Sequence, residues 1–389
     1  MTRPCAVVQC MWKRSCVAFT ATLVRSMASS STVSAFSGTA PPFSFHYSLL
    51  LHQRRQVSVM IPIAGTGSKQ CGNNKIGTRL LSSFVPSPLP GTFGTPVFPD
   101  IHHLDVSIDS SAAESALRNA DPQAVFVVTG ANRGIGDEFV KQLLQRTNGT
   151  IIGCCRSPDA AKDLQKLLES HQHRIHKVAL GVENQESIEQ AGRRIAELSG
   201  GRVDMLLNVA GILGDGGKTT PGPERSITKM DRNWFEKTMA VNLIGPFMLT
   251  KELIPLLKHR PVKKARPKSD IDDNNDDNET VRRPTSVIVN MSARVGSISD
   301  RYSYRMSKSA LNQATRTMAH ELKRQSMRCI ALQPGTTNTD LSKPFQANVK
   351  EGSLFPVDFT VSQLLQIIDS IRAEHSGGFY DWAGQALSF

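Results

Sequence analysis

The first 99 residues of this 389-residue chain contain neither aspartate nor glutamate. Over the same stretch stand nine basic residues: Arg3, Lys13, Arg14, Arg25, Arg54, Arg55, Lys69, Lys75 and Arg79. The formal net charge of +12 is therefore uneven, because removing these nine from the 46 lysines and arginines leaves 37 basic against 34 acidic residues in the remainder. A nucleic-acid-binding chain needs its basic residues on a face that can lie along phosphates; here the excess sits in a Ser-, Gly- and Pro-rich segment, so that function is not supported. Cysteine is scarce as well. Four of the seven (Cys5, Cys10, Cys16, Cys71) fall in the basic segment, leaving Cys154, Cys155 and Cys329. An odd number without paired C-x-x-C spacing argues against a disulfide framework and against a zinc site, with a reducing compartment as the default. Beyond the N-terminal region no run reads as long and apolar enough to cross a bilayer, so no membrane span and a soluble mature protein are expected.

An acid-free, Arg- and Ser-rich start has the composition of an organelle-targeting sequence. Within it, "CVAFTATLV" (Cys16 to Val24) is an apolar run behind Lys13 and Arg14, and "VSAF" (Val33 to Phe36) offers a small-residue cleavage site. The arrangement resembles the bipartite presequences of complex plastids, which makes a plastid destination preferred over a mitochondrion. Residues 1–110 are expected to be a targeting presequence and linker, mostly disordered.

From about Asp121 onward, short apolar runs alternate with longer helical patterns, the signature of a doubly wound parallel sheet. "AVFVVTG" (Ala124 to Gly130) reads as a buried strand, and Phe139, Leu143 and Leu144 then share one helical face. "TIIGCC" is the next strand, followed by Ser157 and Pro158 as N-cap and first residue of a helix through Leu168. Further strands are expected at "IHKVALGV", "VDMLLNVAG", "SVIVNM", "RCIALQPG" and "GGFYDW". The prediction is one Rossmann-like α/β domain over 121–389 with a seven-stranded parallel sheet.

One stretch breaks that alternation. Residues 259–285 carry a basic block, an acidic block and two arginines without periodicity, which predicts a disordered surface insertion. As a calcium loop starting at Asp270 it would need Gly at position six and Glu at position twelve, where Asn275 and Val281 stand. His171, His173 and His176 have no carboxylate at ligand spacing and read as a surface turn. No metal site is expected.

"TGANRGIG" (Thr129 to Gly136) follows a strand and opens a helix, the context in which glycines carry meaning. Gly130 permits a tight turn, Gly134 lets backbone approach a ligand, and Gly136 allows close helix packing, while the helix N-terminus offers N–H groups to a pyrophosphate. The second strand ends at Cys155-Arg156, twenty residues beyond Gly136, where an NAD site carries an acid. No acid stands there. Arg156 and Arg133 instead suit a 2′-phosphate, so NADP is favoured over NAD.

With Tyr304-x-x-x-Lys308, this glycine spacing resembles the short-chain dehydrogenase/reductase family. Asn208-Val209-Ala210-Gly211 resembles the family's Asn-Asn-Ala-Gly, Asn242 in "AVNLIG" matches its active-site Asn, and Pro334-Gly335 matches its Pro-Gly after the sixth strand. The likeness runs from about Pro122 to the end, and "TGANRGIG", "SARVGSISD" and "FYDWAGQ" look most like the C-factor-like group near carbonyl reductases. The resemblance implies cofactor contacts from Thr129, Gly130, Asn132, Arg133, Gly134, Ile135, Gly136, Arg156, Asn208, Ala210, Gly211, Tyr304, Lys308, Pro334, Gly335 and Thr339. It further implies that Lys308 holds the nicotinamide ribose and that Asn242 anchors a proton-relay water.

Residue chemistry agrees. Tyr304 and Lys308 lie four apart on a helix whose packed stripe is expected at Met306, Ala310, Ala314 and Met318, so both side chains can enter one cleft. An ammonium beside the phenol is expected to lower its pKa and suit it to general acid work. Two departures from the family pattern stand out: Gly181 occupies the place of the adenine-contacting Asp, and Ala293 that of the second Ser in Ser-Ser-x-x-Gly. Counting back from Tyr304 brings Ser292 to the carbonyl-polarising position, with Ser297 and Ser299 as substitutes. The expected catalytic set is Tyr304, Lys308, Asn242 and Ser292, acting on a small-molecule carbonyl substrate with NADPH. The alternatives are 3-oxoacyl-carrier-protein reduction and a low-turnover NADP-binding signalling protein. A homo-oligomer is left open.

Overall fold

The computed structural model describes residues 101–104, 114–171, 173–258, 283–296 and 302–389. All belong to the unit Gly77–Phe389. The predicted presequence up to residue 100 and most of the 259–285 insertion lie outside the described residues.

In chain order the elements are α1 (Glu114–Ala120), β1 (Val125–Thr129), α2 (Gly134–Arg146), β2 (Thr150–Cys155), α3 (Lys162–Ser170), β3 (Ile175–Ala179), α4 (Gln185–Leu198), β4 (Met205–Asn208), α5 (Arg232–Met239), α6 (Gly245–Leu257), β5 (Ser286–Met291), α7 (Ser303–Leu322), β6 (Met327–Gln333), β7 (Thr336–Thr337), β8 (Leu354–Phe355), α8 (Val357–Asp369) and β9 (Phe379–Asp381). The main sheet has seven strands in the order β3-β2-β1-β4-β5-β6-β9, and β7 and β8 form a separate two-stranded ribbon. Every pairing in the main sheet is parallel, with Val127 opposite Ile152 and Leu206, and Ile288 opposite Cys329. The strands are short and apolar because helices cover both faces. One face packs Phe126, Val128, Val287 and Val289 against Phe139, Leu143, Leu364 and Ile368. The other packs Val127, Leu206 and Ile288 against Ile188, Leu249, Leu253 and Met318. Strand order reverses between β1 and β4, which opens a crevice at the carboxyl ends of the strands, the place where such sheets bind ligands.

The folded region extends further toward the N-terminus than the sequence pattern indicates. Ile101 and Leu104, expected in the linker, are buried in the core, Leu104 N–H donates to Gly384 O at 2.9 Å, and Ala386 N–H donates to His103 Nδ1 at 2.9 Å. α1 also belongs to the domain: buried Arg118 pairs with Asp369 at 3.1 Å, and Glu114 pairs with Arg328 at 2.6 Å. Two apolar side chains and two ion pairs are too sparse to show as periodicity. The C-terminal base of the insertion is likewise anchored, Arg283 pairing with the fully buried Asp204 at 2.9 Å.

Three local expectations are corrected. The helix expected from Pro158 through Leu168 is a 3₁₀ turn, Pro158–Ala160, and then α3, because Ala161 is non-helical at φ −84° and ψ 79°. The stripe expected on α7 is displaced: Met306 is exposed, and the buried face runs through Ser307, Lys308, Leu311, Asn312, Thr315, Met318, Ala319 and Leu322. Small and polar residues take that face because they hydrogen-bond to the ends of β5, so hydrophobicity alone misplaces it. Finally, α5, a π-helical turn (Ala240–Ile244) and α6 form one run of 26 residues, long and apolar enough to cross a membrane by length and composition. Its apolarity serves the core, since Leu249, Leu253 and Leu257 are fully buried.

Candidate active site at the carboxyl edge of the sheet

The turn from β1 into α2 is built for close backbone approach. Gly130 has φ +67° and Gly134 φ +58°, and a Cβ on Gly130 would stand 3.1 Å from Ala210 Cα. At Gly136 it would stand 2.2 Å from Gly130 O, so only glycine lets α2 start this near the strand. Arg133, at the N-cap, is extended and makes no capping bond, which leaves the first amides of α2 and their positive dipole end facing outward. Asn132 and Arg133 are exposed, and Ile135 packs into the core beneath them. A cradle that any Cβ would fill, over an uncapped helix start, fits a dinucleotide pyrophosphate.

The other expected cofactor residues divide into those that face this cradle and those that build it. Thr129 Oγ1 accepts from Val209 N–H at 2.9 Å and Ala210 N–H at 3.1 Å, so it ties the Asn-Val-Ala-Gly turn to β1. Asn208 is buried and donates to Asn290 Oδ1 at 2.9 Å, a brace between β4 and β5. Across the cleft, Gly335 (φ +75°) follows Pro334, and a side chain there would meet the Phe355 ring at 2.5 Å. Thr339 Cγ2 stands 3.4 Å from where a Gly134 Cβ would be, which brings the loop after β6 against the glycine turn. Arg133 lies 3.7 Å from Asp340, and Arg156 lies 4.0 Å from Glu183. Both guanidiniums are about two-thirds exposed, so these pairings are weak and open to a stronger anion.

The carboxyl end of β5 meets the start of α7. Lys308 is buried, its Nζ donates to Met291 O at 2.7 Å, and it sits 5.7 Å from the centre of the Tyr304 ring. Burial pushes the Lys308 ammonium down to about 8. Tyr304 is half-buried, and burial pushes its phenol up to about 12. The expected lowering of the phenol by the lysine is therefore not what this geometry gives: Nζ is directed at a backbone carbonyl, and desolvation dominates. A phenol that keeps its proton at neutral pH remains a competent acid.

Asn242 is turned inward by the π-helical turn. Its Oδ1 accepts from Ile212 N–H at 2.8 Å, while its Nδ2 donates to Ile212 O at 2.9 Å and Ser307 Oγ at 3.2 Å. Gly211 lies between it and the lysine: a Cβ at 211 would stand 3.3 Å from Asn242 Oδ1 and 3.8 Å from Lys308 Nζ. The missing side chain keeps the space between Asn242 and Lys308 open.

Ser292 does not fit the role expected of it. Residues alternate along β5, so Ser292 shares the α7-facing side with Ile288 and Asn290. It is only 3% exposed and donates to Asn312 Oδ1 at 2.5 Å. A hydroxyl whose hydrogen is already held cannot polarise a carbonyl without first giving up that bond; Ser292 instead fastens α7 to β5. Ser297 and Ser299 lie outside the described residues.

The short chain dehydrogenase family profile matches residues 124–265 and 278–350. The chain belongs to the short-chain dehydrogenase family. Within it, the chain stands close to the carbonyl reductase and C-factor groups. An uncharacterised oxidoreductase of Schizosaccharomyces pombe is 26% identical over 286 residues, covering 69% of this chain and 100% of that protein. The C-signal protein of Myxococcus xanthus is 26% identical over 189 residues, covering 47% of this chain and 91% of its own length. Among solved structures, the NADPH-bound carbonyl reductase from chicken fatty liver superposes with a TM-score of 0.56 at 29% identity, covering 69% of this chain and 99% of that one. The carbonyl reductase Sniffer of D. melanogaster gives 0.56 at 28% identity, covering 69% and 100%.

Several residues of this short-chain dehydrogenase site went unforeseen. Asn312, one helical turn beyond Lys308, was legible from its spacing, as was Ser307 beside it. Glu224 and the Met291 carbonyl carry no sequence signal, since only the folded loops bring them to α7.

Proposed function

We propose that this oxidoreductase is an NADPH-dependent carbonyl reductase acting on a ketone, aldehyde or quinone. The observation that carries the reading is half-buried Tyr304 over buried Lys308, beside a glycine cradle flanked by two weakly paired arginines. NADPH, when bound, supplies hydride to the carbonyl carbon. Gly130, Gly134 and the first amides of α2 would hold its pyrophosphate, Arg133 and Arg156 its 2′-phosphate, and Lys308 its nicotinamide ribose. Tyr304 donates its phenolic proton to the carbonyl oxygen as negative charge develops there, work worth about 10²–10⁴-fold in rate. Lys308 then resupplies that proton through the space kept by Gly211 and Asn242. The test is NADPH and NADH oxidation across a panel of quinones, ketones, aldehydes and acyl-carrier substrates. Turnover with acyl-carrier substrates alone would move the assignment to 3-oxoacyl reduction.

A second reading is a low-turnover NADP-binding signalling protein, favoured by the commitment of Ser292 to Asn312 and by the C-signal relative. Tight NADPH binding without turnover on the whole panel would select it. We also propose that the acid-free first 99 residues direct import into an organelle, a plastid before a mitochondrion. A fluorescent fusion of that segment staying in the cytosol would exclude it.

A further inference from the structure

The helix that carries Tyr304 and Lys308 begins without a cap of its own. Tyr302, at its N-cap, has φ −102° and ψ −118° and makes no capping hydrogen bond. A carboxylate arrives instead from elsewhere in the chain: Glu224 Oε1 accepts from Ser303 Oγ at 2.6 Å. Ser303 is completely buried and is the residue immediately before Tyr304, and Glu224 is only 5% exposed. The second oxygen, Oε2, is enclosed and has no hydrogen-bond partner among the described residues. Burying a carboxyl against a single hydroxyl donor is costly, and the position requires a compensating role. The positive end of α7 supplies part of that compensation.

The loop that brings Glu224 is tied by its own backbone hydrogen bonds and packs on α5. Gly216 N–H donates to Gly222 O at 2.5 Å and Gly217 N–H to Thr220 O at 2.9 Å. Gly222 has φ +70° and lies so close to Trp234 that a Cβ would stand 2.2 Å from its indole nitrogen. Trp234 is itself buried, and its backbone N–H donates to Oδ1 of Asp231, the N-cap of α5, at 2.7 Å. A braced loop thus presents one carboxylate to the first residue of α7.

We infer that Glu224 is a positioning residue which, through Ser303, fixes the first turn of α7 and so holds the Tyr304 phenol in register with Lys308. The inference rests on the reading of Tyr304 as general acid. Among the described residues Tyr302 makes no side-chain capping bond, and Tyr304 follows Ser303 directly, so loosening the Glu224–Ser303 contact acts on the turn that carries the phenol. A misplacement of about 1 Å at a reacting group costs on the order of 10²-fold in rate.

The experiment compares Glu224→Ala, Glu224→Gln, Ser303→Ala and the Glu224→Ala/Ser303→Ala double variant with the wild type. Three quantities are measured in each: kcat for carbonyl reduction, NADPH affinity by fluorescence, and ionisation of Tyr304 by ultraviolet difference absorbance, with Tyr304→Phe as the blank. Glu224→Ala and Ser303→Ala should each lower kcat by about tenfold or more with NADPH affinity unchanged. Their losses should not multiply in the double variant. Glu224→Gln, which keeps the acceptor oxygen, should recover most of the loss. Unchanged kcat in Glu224→Ala, multiplying losses, or Glu224→Gln as damaged as Glu224→Ala would overturn the inference. If Glu224→Ala does not fold, Ser303→Ala decides alone, and a wild-type kcat with wild-type Tyr304 ionisation overturns it. If the wild type itself turns over nothing, the carbonyl reductase reading fails, and the Tyr304 titration still decides: a shift in Ser303→Ala supports positioning, no shift refutes it.

Discussion

The burial of Lys308 predicts where activity fails on the alkaline side. Desolvation brings its ammonium from 10.5 to about 8. A displacement of that size is worth on the order of 3 kcal/mol between the two protonation states. Tyr304 moves the other way, to about 12, so between roughly pH 8 and 12 the phenol keeps its proton while the lysine loses its charge. For the proposed carbonyl reduction, the alkaline limb is therefore expected to follow Lys308. Above about pH 8, kcat/KM should fall about tenfold per pH unit, reporting the free enzyme. Unfolding does not produce the same limb. The folded-state value lies below the unfolded one, so between about 8 and 10.5 the unfolded chain binds more protons, and the Lys308 contribution to stability rises with pH across that window. Below about pH 8 the burial penalty is present in full. The assay is NADPH oxidation from neutral to alkaline pH in wild type and Lys308→Met, with thermal unfolding followed in parallel. A flat wild-type profile to about pH 10, or an unchanged limb in Lys308→Met, would refute the assignment.

Other positions give independent tests. Gly136→Ala should abolish NADPH binding measured by fluorescence, since a Cβ there meets Gly130 O at 2.2 Å; retained affinity would mean that α2 does not form the cradle. Arg133→Ala and Arg156→Ala should each weaken NADPH binding while sparing NADH, and together narrow the preference about tenfold or more; equal losses for both cofactors would place the guanidiniums elsewhere. Leu104→Ala removes a fully buried side chain from the segment preceding α1 and should destabilise the domain by about 2–5 kcal/mol in denaturant unfolding. An unchanged midpoint would show that this segment is not part of the folded unit.

The sheet was readable because its strands are continuous apolar runs punctuated by glycine, and the glycine turn because its spacing between strand and helix admits few other uses. Tyr304 and Lys308 were readable from their separation of four residues. What the pattern misplaces is side-chain direction. Met306 looks like part of a packed stripe, but the α7 face that meets β5 is used by Ser307, Lys308 and Asn312 for hydrogen bonds. Ser292 has suitable spacing to Tyr304, yet the alternation of β5 aims it at Asn312. Asn208 matches a cofactor motif, and its amide braces two strands. Leu104 and Glu224 act across large separations in sequence, where no local period reports on them.

The proposed chemistry turns on one proton donor. The most direct measurement is the rate of NADPH-dependent carbonyl reduction by Tyr304→Phe, which keeps the ring and removes only the hydroxyl. If Tyr304 is the general acid, kcat falls by about 10²–10⁴-fold with NADPH affinity unchanged. Wild-type turnover in Tyr304→Phe would contradict it.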